Sequence, residues 1–396
     1  MLFCLLGVST TALAATTSGS SKNGFIVVPK SYSNPSRGTM KLSYKIIAQD
    51  QRSTEKTLIM IPGGPGNNAD YLETPAAINM LKTRFQIILI NPRGSFKSPF
   101  LPTEYSDAEI NQVKNMALDI EQLRLKLAVH SKTYVYGHSF GGLVGLVHAG
   151  LFPDSTSGLI SHSSLANFKF YEYFVNNQHD FAKSNLAQNL FRILSLTGHT
   201  NLYAEYVSLI EQIEMKASRG EIKINTKTAP RVLTASEFRG QARSILQFPF
   251  EYSLKLLHSF ADGTQEAQVF LDVNQSWDEK NFNYKTLLFL YCSEFLTDTQ
   301  LSFKMVKSDH NIRDYYCDGK KVNRPEPLNF EKLIANINIP VLYMHGDYDL
   351  VAPAAITHKD FLKIKNLNDA RLEKSGHQGL QNEPEQVAKY ILNFSN

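Results

Sequence analysis

The seven residues Tyr136-Gly137-His138-Ser139-Phe140-Gly141-Gly142 decide how this chain folds. An apolar, β-prone run, Thr133-Tyr134-Val135-Tyr136, comes before them, and residues 142–151 have helical character. A strand, a sharp turn and a helix therefore meet at Ser139. The spacing is Gly-x-Ser-x-Gly, a nucleophile elbow, in which a strained turn lifts the serine hydroxyl above the end of a sheet. Gly137 and Gly141 carry no Cβ, so strand and helix can close on each other there. The strand before and the helix after separate this pentapeptide from a chance occurrence in a loop. A serine held beside a helix N-terminus is placed to attack a carbonyl carbon.

Outward from the elbow, short apolar runs read as strands. They are Phe25-Ile26-Val27-Val28, Leu42-Ser43-Tyr44-Lys45-Ile46-Ile47, Thr57-Leu58-Ile59-Met60-Ile61, Phe85-Gln86-Ile87-Ile88-Leu89-Ile90, Thr133 to Tyr136, and Val341-Leu342-Tyr343-Met344. The last four are apolar on both faces, as buried parallel strands are. Between them, residues 108–130 place Ile110, Val113, Met116, Ala117, Ile120, Leu123, Leu125 and Leu127 mostly at helical spacing. Residues 384–394, opening on Pro384, read as a final helix. Alternating strands and helices predict an α/β fold, a mostly parallel central sheet with helices on both faces.

Residues 166–329 differ. They are rich in Phe, Tyr, Asn, Gln and Lys, with helical periodicity at 185–197 and 203–217, and the strand pattern resumes only at Ile339. They read as an inserted, mostly helical cap over the mouth of the sheet. The sheet-forming segments are then 24–165 and 330–396.

Composition sets the class. The chain has 396 residues, 43% hydrophobic and 20% charged, enough for a large core or two lobes. A net charge of +4 without a long basic run gives no basis for a nucleic-acid partner. The apolar run from Met1, followed by Ala12-Leu13-Ala14-Ala15, predicts a signal peptide over residues 1–15 and export to the periplasm or medium, although no Lys or Arg precedes it. The run is far shorter than the roughly 20 residues of a membrane span, so stable membrane insertion is not expected. A polar, mobile leader is expected from Thr16 to Asn23. Cys292 and Cys317 are then an even pair in an exported chain, which predicts a disulfide between them.

A serine nucleophile needs a base and an orienting acid. On a sheet that presents serine at an elbow, the acid and then the base follow in chain order. The run Val341 to Met344 leads into His345-Gly346-Asp347-Tyr348-Asp349-Leu350-Val351-Ala352-Pro353. Asp349, further into the loop, is favoured as the acid over Asp347, whose place suits a turn residue. Ser375-Gly376-His377-Gln378 follows a short strand-like stretch, Ala370-Arg371-Leu372-Glu373, and precedes the last helix, which points to His377 as the base. His138 is expected to point away from Ser139, and His345 to be structural. The oxyanion donors are expected to be the Phe140 N–H and the Gly64 N–H in Ile61-Pro62-Gly63-Gly64-Pro65-Gly66, since Pro65 has no N–H. That glycine loop lacks both the Gly-Lys-Ser/Thr ending and the G-x-G-x-x-G spacing of phosphate loops. No cofactor or metal is required.

Together the motifs resemble the prolyl iminopeptidase / tripeptidyl aminopeptidase family of serine peptidases. The resemblance is carried by Gly63-Gly64-Pro65-Gly66, Asn91-Pro92-Arg93-Gly94-Ser95, Asp119-Ile120-Glu121-Gln122-Leu123-Arg124, Gly137 to Gly142, Gly346-Asp347-Tyr348-Asp349 and Ser375-Gly376-His377. Val28-Pro29-Lys30-Ser31-Tyr32 resembles the first strand of the secreted members. Pro62 stands where many relatives have His, Asn91 where many have Asp, and Phe140 where many have Trp. These departures bear on strict proline specificity more than on hydrolysis.

The resemblance implies an α/β-hydrolase fold with a helical cap. It also implies an activity that removes residues, proline or small apolar ones, from the free N-terminus of a peptide. Such an enzyme holds the substrate ammonium with a carboxylate in the cap. Cys292-Ser293-Glu294 resembles the Cys-x-acid piece of the secreted members and makes Glu294 the first choice, with Glu251 second. An esterase or lipase-like hydrolase on the same machinery is the alternative. A hydrolase-fold binding protein without turnover is disfavoured by the presence of Ser139, Asp349 and His377. Epoxide hydrolase and dehalogenase chemistry would need Asp in place of Ser139.

Overall fold

The structure, a computed structural model, describes residues 21–47, 56–127, 132–168, 200–225, 229–245, 247–295 and 325–396. The expected signal peptide, the helix at 185–197 and Cys317 with its proposed disulfide lie outside the described residues.

Eight strands form the central sheet: β1 (Ser21–Pro29), β2 (Thr39–Ile47), β3 (Lys56–Ile61), β4 (Gln86–Ile90), β5 (Lys132–His138), β6 (Gly158–His162), and, in the last quarter of the chain, β9 (Val341–Gly346) and β10 (Leu367–Leu372). Their order across the sheet is β1-β2-β4-β3-β5-β6-β9-β10. The β1–β2 and β2–β4 pairs are antiparallel, and every pair from β4 to β10 is parallel. The parallel strands are apolar throughout because both faces are covered. Ile59 and Ile61 of β3 pack on one face, Leu58 and Met60 on the other. Each fully buried Leu or Ile contributes on the order of 1.5–3 kcal/mol.

Helices α1 (Pro75–Leu81), α2 (Val113–Lys126) and α3 (Phe140–Leu151) belong to the first half of the sheet domain. Helix α3 buries nearly its whole length behind the elbow. Between β6 and β9 the described chain is mainly helical: α4 (Thr200–Ser218), α5 (Ala235–Ile245), α6 (Phe250–Ala261), α7 (Gln265–Asn281), α8 (Tyr284–Leu290) and a π-helical turn (Tyr291–Phe295). A two-stranded ribbon, β7 (Lys223–Ile224) with β8 (Arg231–Val232), sits among them. These helices have a hydrophobic cluster of their own around Tyr206, Phe238, Leu257, Phe260 and Phe270. The chain closes with α9 (Phe330–Asn336), α10 (Ala354–Phe361), the short α11 (Gly379–Asn382) and α12 (Pro384–Phe394).

Some expectations change. Ser21, Lys22 and Asn23 are strand rather than leader, because their backbones pair with Ile47, Ile46 and Lys45 while their side chains stay exposed. Helix α2 starts at Val113, since residues 107–111 form tight turns closed by Ile110 N–H and Asn111 N–H to the Asp107 carbonyl. Leu125 faces solvent, at the edge of the apolar stripe. The elbow helix starts two residues earlier than its apolar run, at Phe140. Strand β6 has only five residues, with Ser161 and His162 among them, too short and too polar to stand out.

The inserted helices touch the loops at the strand ends. Asn68 N–H donates to the Asn281 carbonyl, and Asn283 N–H to that of Gly66. Gly66 has φ of 104°, and a Cβ there would lie 2.4 Å from the Asn283 carbonyl oxygen, so glycine is required on two counts. Phe250 stacks on Tyr348 at 5.7 Å. Gln378 donates through its backbone N–H and its side-chain amide to the carbonyl and side-chain oxygens of Gln247.

Candidate active site

Ser139 caps α3 with φ of 53° and ψ of −122°, a region that non-glycine residues seldom occupy. Such a backbone costs on the order of 1–3 kcal/mol and persists only when its surroundings hold it. The holding contacts come from the end of β6, the residues just after it and the first turn of α3. Ser139 N–H donates to the His162 carbonyl at 2.8 Å, and the Ser139 carbonyl accepts from the Ser164 hydroxyl at 2.7 Å and the Gly142 N–H at 2.9 Å. The flanking glycines are sterically required. A Cβ on Gly137 would lie 2.2 Å from the Gly141 carbonyl oxygen, and one on Gly141 would lie 2.5 Å from the carbonyl oxygens of Ile61 and Pro62.

The candidate acid and base, Asp349 and His377, sit on the loops after β9 and β10. His377 Nδ1 lies 2.9 Å from Asp349 Oδ2 and 3.0 Å from Oδ1. Asp349 is completely buried, and its Oδ1 also accepts the Val351 and Ala352 N–H groups at 3.0 and 2.8 Å. Burial pushes the Asp349 carboxyl up, but the His377 charge and hydrogen bond and the Ala352 N–H more than offset it, so the group lies below its ordinary value. Asp347 instead forms a bidentate pair with Arg371 at the surface. The two loops are tied by Tyr348 N–H to the Ser375 carbonyl, 2.9 Å.

The glycine loop after β3 comes up beside the nucleophile. A Cβ on Gly63 would sit 3.1 Å from Ser139 Cβ. The Gly63 N–H is engaged, donating to the Tyr71 hydroxyl at 2.6 Å. Gly64, the residue expected to donate to the oxyanion, follows it with φ of 124°, and Phe140 holds the first position of α3. His345 pairs with Asp369 at 3.2 Å and stacks on Tyr343.

The two acids assigned to the substrate amine differ sharply. Glu251 is exposed on the first turn of α6. Glu294 lies in the π-helical turn, where its Oε1 accepts the Val113 N–H at 2.8 Å at the start of α2. Burial raises the Glu294 carboxyl to about 8, against the lowering effect of that N–H. Its neighbour Phe295 packs on Phe140, the residue after Ser139, with ring centroids 5.9 Å apart. Among the described residues no group of three His, Cys, Asp or Glu side chains is arranged to hold a metal ion.

Residues 56–202 match the family described as alpha/beta hydrolase fold. This chain has the α/β-hydrolase fold. Among solved structures it is similar to Rv0554 from Mycobacterium tuberculosis, at 14% identity and a TM-score of 0.54 over 94% of this chain and 98% of that one. It is also similar to proline iminopeptidase from Mycobacterium smegmatis, at 14% identity and 0.52 over 94% and 97%. A third is an esterase from Exiguobacterium antarcticum, at 15% identity and 0.51 over 93% and 98%. At such identities the likeness is one of fold. Among curated proteins no sequence matches the chain significantly.

Several residues of this α/β-hydrolase site were not singled out from the sequence. Tyr71 lies in a short turn with no motif to mark it, and Ser164 and Gln247 reach the site only through tertiary contacts. His138 was expected to point away from Ser139, and its ring contacts Tyr71 and the His377 backbone. Adjacency to the nucleophile was the one signal it offered.

Proposed function

We propose that this protein is an exported serine aminopeptidase that works through an acyl-enzyme. The observation that carries the hydrolytic part is the His377–Asp349 pair, with the His377 ring centroid 4.9 Å from that of His138, the residue before a positive-φ Ser139. Ser139 Oγ attacks the scissile carbonyl, and His377 accepts its proton and later delivers it to the leaving amine. Asp349 holds His377 Nδ1–H and so presents Nε2 as the base. The Gly64 and Phe140 N–H groups stabilise the oxyanion, each such donor contributing about 10²–10³ in turnover. Water then clears the acyl group.

The aminopeptidase part is supported by the motif resemblance and by Glu294. This carboxyl is buried one residue from the ring that packs on Phe140. A substrate ammonium beside it would favour its ionised form. Glu251 is the second choice for that role. The apolar N-terminus with its small-x-small site supports export, and among the described residues no helix is long and apolar enough to cross a membrane.

A second reading, an esterase, is favoured by one observation: Glu294 is already engaged by the Val113 N–H and burial favours its neutral form. Parallel assays on prolyl and alanyl reporters, N-blocked peptides and short-chain esters separate the two. Hydrolysis of the free-amine reporters, abolished by Ser139→Ala, supports the aminopeptidase. Turnover of blocked peptides or esters alone overturns it.

A further inference from the structure

Beneath Ser139 a chain of hydrogen bonds joins two catalytic loops that are otherwise far apart in sequence. Gly63 N–H donates to Tyr71 Oη at 2.6 Å, Tyr71 Oη lies 2.7 Å from His138 Nδ1, and His138 Nε2 lies 2.9 Å from the His377 carbonyl oxygen. The directions follow from chemistry. A carbonyl oxygen only accepts, so His138 Nε2 carries a proton. His138 is fully buried, with burial and the nearby His377 and His162 holding its pKa well below the ordinary value, so the ring is neutral. Neutral imidazole protonated at Nε2 has a lone pair at Nδ1, so Tyr71 Oη–H donates to it. The Tyr71 oxygen is then free to accept from Gly63 N–H, which only donates. Burial raises the Tyr71 pKa as well, so the phenol keeps its proton.

We propose that Tyr71 and His138 are positioning residues that hold the glycine loop of the oxyanion site in register with the loop of the base. His138 is the last residue of β5, directly before Ser139, so one imidazole ties together the elements that supply nucleophile, oxyanion donor and base. The ring centroids of His138 and His377 are 4.9 Å apart, so a shift of the first is transmitted to the second by contact as well as by hydrogen bond. Loss of the relay frees both loops by fractions of an ångström, and a misplacement of about 1 Å can cost roughly 10²-fold in rate.

This inference rests on the serine-hydrolase reading. The test begins with wild type and Ser139→Ala treated with a fluorophosphonate probe. Labelling of wild type alone supports that reading, and no labelling of folded wild type overturns it without touching the relay. In unlabelled enzyme, Tyr71→Phe is expected to lower kcat on p-nitrophenyl acetate by about 10- to 100-fold with KM little changed. His138→Leu falls at least as far. His138→Gln recovers part of the loss, because its amide can still donate to the His377 carbonyl. Folded Tyr71→Phe with unchanged kcat overturns the relay, as does a loss confined to thermal stability. Nitrogen NMR of the wild-type histidines decides the matter even if the variants fail to fold. Neutral His138 protonated at Nε2 throughout pH 6–9 is expected, and an Nδ1–H tautomer overturns it.

Discussion

His377 Nδ1 faces both carboxylate oxygens of Asp349, at 2.9 and 3.0 Å, and the carboxylate is completely buried. Its Oδ1 also accepts the Val351 and Ala352 N–H groups. The geometry fixes the Nδ1–H tautomer and leaves Nε2 as the proton acceptor.

Asp349→Asn is expected to lower kcat by about 10⁴, because the amide can donate to Nδ1 and stabilise the wrong tautomer. Asp347→Asn, which breaks only a surface pair with Arg371, is expected to stay within a fewfold of wild type. Steady-state kinetics on one ester substrate compares the two. Equal losses would remove the assignment.

Ser139→Ala is expected to lower turnover by about 10⁶ if nucleophile, base and acid act as a unit. Adding His377→Ala to it should cost little more. Near-normal activity in the single variant would sink the mechanism.

Gly137→Ala drives a Cβ to 2.2 Å from the Gly141 carbonyl oxygen, where backbone must move. Destabilisation of about 1–3 kcal/mol or more is expected, seen as a lower denaturant midpoint. Gly38→Ala is the control. Its φ of 88° carries a backbone cost, but nothing lies within 4 Å of the added Cβ.

Glu294 sets a pH dependence of stability. Its carboxyl is raised in the folded protein, from 4.5 to about 8, so the folded state binds the proton more tightly than the unfolded chain. That contribution is fully present below about 4.5 and is lost as pH rises through about 8. Melting temperatures of wild type should therefore fall relative to Glu294→Gln between pH 5 and 9. Parallel curves would show that Glu294 is not held neutral.

Asp119 and Arg93 are fully buried and joined by two bonds of 2.6 Å, with Tyr32 adding a third contact to the carboxylate at 2.8 Å. Asp119→Ala strands the guanidinium and is expected to cost about 3–5 kcal/mol, measured by urea unfolding. Tyr32→Phe should cost about 1–3 kcal/mol. This pair accounts structurally for the Asn-Pro-Arg-Gly-Ser and Asp-Ile-Glu-x-Leu-Arg pieces, since Arg93 pins the loop after β4 to Asp119 of α2 and also donates to the Lys30 carbonyl after β1 and the Ile110 carbonyl before α2.

The sheet was legible because its strands are buried on both faces. Thr57 to Ile61 and Val341 to Met344 have little choice but to be interior, and their residues alternate between the two cores. Strand β6 was not legible, because five residues carrying Gly158, Ser161 and His162 give no periodic signal. It nevertheless supplies the His162 carbonyl that holds Ser139 N–H. Asp349 and His377 could be read because each follows a strand in a required order. Tyr71 could not, because nothing local distinguishes a tyrosine that accepts from Gly63 from one that faces solvent.

By itself the sequence determined the period of the buried parallel strands other than β6, the glycines at the elbow and the chain order of Ser139, Asp349 and His377, because these depend on neighbours a few residues away. The sequence favoured Asp349 over Asp347 by its place in the loop, and the tertiary structure pairs Asp349 with His377 and Asp347 with Arg371. The tertiary structure alone turned Glu294 into a buried carboxyl at the start of α2, 181 positions from Val113. It alone brought Tyr71, His138 and the His377 carbonyl into one line, 239 positions from His138 to His377. Such contacts depend on how whole elements pack, and no local pattern encodes them.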